Sequence, residues 1–204
     1  MENNITKQAS PKALATRQCD ALVAGLSGES FNPTLNKKLK RNKLMIMMLI
    51  DTGLRVNELI QLRVRNLIFE GKAVESLELP DEIAKGNRGR LIPLTERLQK
   101  EIFSYANLFF CSNIPNPEYY IFAHWVGAPH ITARQVQRVC SIAGLAFLGI
   151  SVNPHMLRHT FGTRLMRIAP IEVVRRLMGH SCLSSTQIYM HPDTDDLKKA
   201  IDSL

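Results

Sequence analysis

No two cysteines in this chain lie close enough in sequence to read as a metal or redox motif. Cys19, Cys111, Cys140 and Cys182 are scattered with no CxxC among them, which argues for reduced thiols rather than a disulfide frame or a zinc ribbon. Long apolar runs are missing as well. The most hydrophobic stretch, LMIMMLI from Leu44 to Ile50, has seven residues, where a bilayer span needs about 20. The opening MENNITKQAS is polar and carries no secretory signal. There is no internal repeat, low-complexity tract or long linker. These absences exclude disulfide-stapled, solenoid and membrane-spanning classes, and they predict a cytoplasmic protein with no membrane partner. Acidic residues are also in the minority, 18 against 26 basic ones, for a net charge of +8. Such an excess suits a polyanion partner, although a merely soluble basic protein gives the same count.

What is present is ordinary globular material: 204 residues, 45% hydrophobic, enough to bury one core. Thr16 is placed to cap a short helix carrying Leu22, Val23 and Leu26, closed by SGES and the Asn32-Pro33 turn. A helix from about Leu35 to Ile50 stops at DTG, with Gly53 suited to a C-cap. LRVNELIQL restarts a short helix. NLIFE, VESLELP and RGRLIPLT read as about three strands of a small antiparallel sheet, separated by Gly71 and the KGNRG turn. Helices return from Glu96 to Phe110 and in TARQVQRVCSIAGLA, where Val136, Val139, Cys140 and Ala143 share a face. Asn153 caps the next helix with Pro154 at its first position, and its core face is Leu157, Phe161, Leu165 and Ile168. IEVVRRLMG is a helix closed by Gly179; SSTQIYM and DTDDLKKAIDSL each suggest one more. The fold class is therefore mainly α with a small antiparallel β-sheet.

Against that background a few polar residues stand out. His155 and Arg158 lie three residues apart in the first turn of a helix, on a face distinct from Leu157 and Phe161. A helix N-terminus supplies free N–H groups, and arginine adds a planar fork for phosphate oxygens. Arg55 follows a tight turn, with Glu58 three residues on. Lys85 sits on a Gly-rich turn, His180 follows a helix-ending glycine, and Tyr189 comes nine residues later. Each has a bland alternative when taken singly: an exposed ion pair, a solvated hairpin tip, a C-terminal cap, a surface tyrosine. A zinc reading of His155 and His159 fails because Met156 stands where that motif needs Glu, and Arg158 would oppose the cation. His159 and His191 read as structural, with His191 a cap for the helix bearing Tyr189.

Taken in order, Arg55, Lys85, His155 with Arg158, His180 and Tyr189 resemble the tyrosine recombinase (lambda-integrase-like) family, whose pattern is Arg, Lys, His-x-x-Arg, His or Trp, then Tyr. TGLRVNELIQL, KGNRGRLIPL, HMLRHTFGTRL and MGHSCLSSTQIYMH are similar to the boxes of Xer-type and phage integrases. The resemblance covers residues 16 to about 191 and implies that family's catalytic-domain fold. It also implies a site-specific DNA recombinase acting through a 3′-phosphotyrosyl intermediate in integration, excision or inversion. By that resemblance Arg55 and Arg158 clamp the scissile phosphate, Tyr189 is the nucleophile and Lys85 protonates the leaving oxygen. His155 acts in proton transfer, His180 hydrogen-bonds the phosphate, and Glu58 orients its neighbours. No metal or other cofactor is implied. A covalent phosphotyrosine conserves the bond energy, so rejoining needs no ATP, and a phenol with pKa near 10 needs a base and a cationic pocket. Two other readings remain: a DNA-binding regulator that keeps the fold, and a topoisomerase-like nicking-closing enzyme.

The resemblance further implies double-stranded DNA as partner, nucleoid association, and a homotetramer on paired sites that is weak or monomeric without DNA. Residues 1–15 are expected to form a flexible start and 16–204 the catalytic domain, with no N-terminal core-binding domain. KKLKRNK places five basic residues, Lys37, Lys38, Lys40, Arg41 and Lys43, near a helix start, where they oppose the dipole unless phosphates are close. With Arg88 and Arg90 they form the expected DNA-contact patch.

Overall fold

The computed structural model describes residues 13–28, 30–111 and 115–180. Its helices are α1 (Thr16–Gly25), α2 (Pro33–Thr52), α3 (Val56–Ile60), α4 (Val64–Leu67), α5 (Glu96–Phe110), α6 (Ala133–Leu148), α7 (Pro154–Met166) and α8 (Ile171–Met178). Four short strands lie between α4 and α5: β1 (Ile68–Phe69), β2 (Lys72–Ala73), β3 (Ser76–Leu79) and β4 (Arg90–Pro93).

Helix α2 is the axis of the molecule. Asn32 starts it, its Oδ1 accepting from the amides of Thr34 at 3.0 Å and Leu35 at 3.1 Å, with Pro33 at the first helical position. Every residue from Leu44 to Ile50 is buried, so this stretch is apolar all round because neighbours cover it all round. Helices α5 and α7 pack along it, and α1 is held against α6. The helix ends at Gly53, whose φ of 61° is the left-handed conformation that glycine adopts without a Cβ penalty. A side chain there would also collide with Phe161, whose ring lies 2.3 Å from an ideal Cβ. The turn into α3 is thus fixed from both sides.

The sheet differs from the expected single unit. Among the described residues there are two antiparallel pairs, β1 with β2 and β3 with β4. NLIFE is part helix, part strand: Asn66 ends up inside α4, its Oδ1 accepting from the Arg63 amide at 2.8 Å. Ladder β3–β4 has the alternation of a sheet with one buried face, so Arg90, Ile92 and the following Leu94 point inward. The predicted core face of α7 is also corrected at its end. Leu157 is buried, Phe161 and Leu165 are half-buried, and Ile168 is 83% exposed because α7 stops at Met166. Thr16 is the first residue of α1, and Ala15 is its cap. The SSTQIYM and DTDDLKKAIDSL helices, Tyr189 and His191 lie outside the described residues, as do residues 1–12.

Candidate active site

A cleft of about 820 Å³ opens where the end of α2, the start of α3, the β3–β4 turn, the start of α7 and the end of α8 meet. Arg55, Glu58, Lys85, His155, Arg158 and His180 all line it. Residues spread over 125 positions of sequence are brought together by these chain ends, each stopped or started by a specific local feature.

Arg55 is the N-cap residue of α3, and Glu58 sits one turn on. The Glu58 carboxylate accepts from the Arg55 amide at 2.8 Å and from its Nη1 at 3.0 Å. It also accepts a two-pronged bond from Arg90, Nη2 at 2.8 Å and Nη1 at 3.2 Å. Glu58 is 1% exposed. Burial alone would raise its pKa; the Arg90 fork, then the Arg55 amide and guanidinium, overcome that and hold it down to about 2. Glu58 is therefore a fixed anion that organises two arginines.

The C-terminus of α8 completes the arrangement. Carbonyls of its last residues and cap accept from three guanidiniums: Leu177 from Arg90 Nε at 2.8 Å, Met178 from Arg158 Nη2 at 2.5 Å, and Gly179 from Arg55 Nη2 at 3.4 Å. Orphan carbonyls carrying the negative end of the helix dipole are a natural seat for cations. Arg158 also donates to the Gly53 carbonyl, tying the end of α2 to the end of α8. Its own backbone is placed by the Asn153 cap, whose Oδ1 accepts from the Met156 amide at 2.9 Å. Gly179, at φ 62°, turns the chain so that His180 enters the cleft, and the His180 amide closes the cap on Arg175 O at 3.1 Å.

His180 Nε2 stands 3.3 Å from Arg158 Nη2. Arginine only donates, so Nε2 accepts and the ring proton sits on Nδ1. Burial first, then Arg158, Arg55 and Arg90, push the His180 pKa down to about 4, so the ring is neutral at physiological pH. Lys85 and His155 are exposed at the cleft mouth. The turn bearing Lys85 is pinned by Asp81, whose Oδ1 accepts from the Gly89 amide at 2.5 Å.

Of the seven residues singled out with catalytic or supporting roles, the structure brings together six, and Tyr189 lies outside the described residues. The DNA-contact patch is rearranged. Arg90 is not a surface contact: its side chain is 4% exposed and bound to Glu58. The signal was in the sequence, since Arg90 alternates in phase with Ile92 and Leu94. Arg41 is buried against the carbonyl of Ala123, and Lys43, on a different face of α2, is paired with Glu101 at 2.6 Å. Lys38 and Arg88 are exposed, and Lys37 and Lys40 half-buried. Chemically, the cleft sets two arginines, an exposed lysine and a neutral histidine around a water-accessible space, an arrangement suited to an oxyanion that gains charge during reaction.

A sequence model described as the phage integrase family matches residues 16–195. The chain belongs to the phage integrase family. Among its relatives there, the tyrosine recombinase of Pseudothermotoga lettingae is 34% identical over 169 residues, covering 82% of this chain and 55% of the relative. XerA of Pyrococcus furiosus is 31% identical over 193 residues, covering 94% and 61%. The chain spans roughly half the length of the curated relatives it matches, 53% for XerC of Staphylococcus epidermidis. In solved structures, XerA recombinase superposes with a TM-score of 0.72 at 21% identity, over 99% of this chain and 66% of that one, which establishes the tyrosine recombinase catalytic-domain fold. XerH site-specific recombinase, bound to difH substrate in a pre-cleavage complex, superposes at 0.64 with 26% identity, over 97% and 56%. For this phage integrase family member the expected family and fold are the observed ones.

Proposed function

We propose that this chain carries the catalytic unit of a site-specific DNA recombinase that breaks and rejoins strands through Tyr189. The observation that carries the reading is the single cleft holding Arg55, Arg158, Lys85, His155 and His180. In the forward step the Tyr189 phenol oxygen bonds to the scissile phosphorus and the bond from phosphorus to the 5′ oxygen breaks. His155 takes the phenol proton and Lys85 gives one to the departing oxygen. Arg55 and Arg158 offset charge building on the non-bridging oxygens, and His180 hydrogen-bonds one of them. The reverse of the same step reseals the strand, so bond count is conserved and neither ATP nor a metal ion is required. Double-stranded DNA is the substrate, with four copies acting on paired sites in the nucleoid; the DNA-bound state of the similar XerH supports the first of these.

The test is to trap the enzyme on a nicked substrate from DNA flanking the gene's own element, where a short fragment diffuses away after attack. Wild-type protein should give a denaturation-resistant adduct on the 3′ end. Tyr189→Phe should bind equally and give none, and Arg158→Ala should lose on the order of 3 kcal/mol of transition-state stabilisation. An adduct that persists in Tyr189→Phe rejects the assignment.

A further inference from the structure

The N-terminal half of α2 borders a second cleft that the proposed recombination chemistry does not use. It has about 460 Å³ and is walled by Lys37, Lys38 and Arg41 of α2, Phe109 at the end of α5, and His124 and Trp125 of the following loop. Arg41 lies twelve residues before Gly53 on one helix, so the two clefts are about 18 Å apart along its axis.

Arg41 is the unusual member. It is 8% exposed, yet among the described residues no carboxylate pairs with it, nor with Lys37 or Lys38. Its Nη1 donates to the carbonyl of Ala123 at 2.9 Å, and its buried Nε has no hydrogen-bond partner among the described residues. Glu101 on the facing helix is already bonded to Lys43. Burial weakens the hold of Arg41 on its proton, as expected for a guanidinium removed from water with no counter-charge. Proteins rarely leave a buried cation uncompensated beside two more cations. An anion entering the cleft would supply the compensating charge. Beside the cations stands Trp125, 67% exposed, on the loop that Arg41 itself anchors through Ala123 and that Gln135 steadies through His124 at 2.8 Å. A flat apolar ring next to clustered positive charge fits a base stacked beside its own phosphate.

We infer that this cleft is a nucleotide-binding site, in which Arg41, Lys37 and Lys38 hold a phosphate and Trp125 stacks on the attached base. The volume lies in the range of small-molecule sites. A free nucleotide and a nucleotide within DNA share this chemistry.

Trp125 is the only tryptophan in the chain, so its fluorescence reports on this cleft and not on the catalytic one. The full chain is titrated with dAMP, deoxyadenosine, pentaglutamate and duplex DNA. Saturable quenching by dAMP, at a concentration at least tenfold below that needed with deoxyadenosine, is expected. Quenching by dAMP and not by duplex identifies a free nucleotide as the source, and quenching by both identifies a nucleotide that DNA also presents; either supports the site. Quenching by duplex alone rejects it, because paired bases are already stacked on one another and the contact is then DNA binding at large. Arg41→Gln and, separately, exposed Lys38→Glu should each raise half-saturation at least tenfold. If circular dichroism shows that Arg41→Gln does not fold, Lys38→Glu carries the test alone. The site is rejected if neither dAMP nor duplex quenches, if deoxyadenosine binds as well as dAMP, or if pentaglutamate displaces dAMP at equal concentration. Because Tyr189→Phe should leave the quenching unchanged, failure here is separate from failure of the proposed recombination chemistry.

Discussion

Glu58 and Arg90 tie the start of α3, strand β4 and the end of α8 together at the cleft. Removing Arg90 as Arg90→Met leaves a buried carboxylate with one guanidinium in place of two, a loss of about 3 kcal/mol in urea unfolding. Glu58→Gln added to Arg90→Met should recover part of that, because an amide costs less to bury unpaired than a charge. The pH dependence has a definite sign. Glu58 is held at about 2 against an ordinary 4.5, so its stabilisation is present above pH 4.5 and lost as pH falls toward 2. His180, held at about 4 against 6.5, loses its contribution as pH falls from 6.5 toward 4. Unfolding midpoints should therefore decline from about pH 6.5 downward. In Arg90→Met the lower limb should move to higher pH, and a limb that stays in place would contradict the role given to Arg90. Lys85 is tested by its chemistry. Lys85→Ala should cripple cleavage of ordinary DNA and be rescued by a 5′-bridging phosphorothiolate, whose sulfur leaves without a proton. Equal loss on both substrates would assign the acid to another group.

At the scale of elements, two left-handed glycine caps do the positioning. Gly53 ends α2 and Gly179 ends α8, and carbonyls at those two ends hold Arg158, Arg55 and Arg90. Their substitutions should behave differently. Gly53→Ala meets both the φ penalty and the Phe161 ring, so it should lower stability by 2 kcal/mol or more, read by thermal unfolding. An alanine Cβ at Gly179 would lie 3.0 Å from Arg90 Nη1, the end of a side chain rather than backbone. Gly179→Ala should therefore cost about 1 kcal/mol of stability but reduce adduct formation more strongly than Gly53→Ala does. The reverse ranking would mean that the α8 cap serves folding and not the cleft.

For the whole molecule, the relevant quantity is where the net charge of +8 is available. Lys43 and Arg90 are neutralised by Glu101 and Glu58, so counting lysines and arginines overstates the surface charge. DNA affinity should fall with salt by about 0.9 log units per log salt for each phosphate neutralised. Exposed Arg88, on the turn that carries Lys85, should contribute to that slope, and Arg88→Gln should flatten it. Lys43→Met should leave it unchanged within error. A slope that responds to Lys43 and not to Arg88 would place the DNA on the opposite side of α2.

Sequence alone determined the described helices apart from α4, and the caps at Gly53, Asn153 and Gly179, because turn chemistry and helical spacing are local signals; the order of charged residues along the chain, through the family resemblance, picked out six residues that line the cleft. NLIFE was misread because its apolar run suits a short helix and a strand equally, and only Asn66 bonding back to Arg63 separates them. Ile168 was misassigned because the helical period continued past the point where α7 ends. What the tertiary structure decided is which charges are spent on the protein itself. Arg41, Lys43 and Arg90 look like Lys38 and Arg88 in the sequence, since a cation carries no mark of its partner. Burial and a distant carboxylate or carbonyl, supplied by chain that lies 32 to 87 residues away, turn some of them into structure and leave others for an anion.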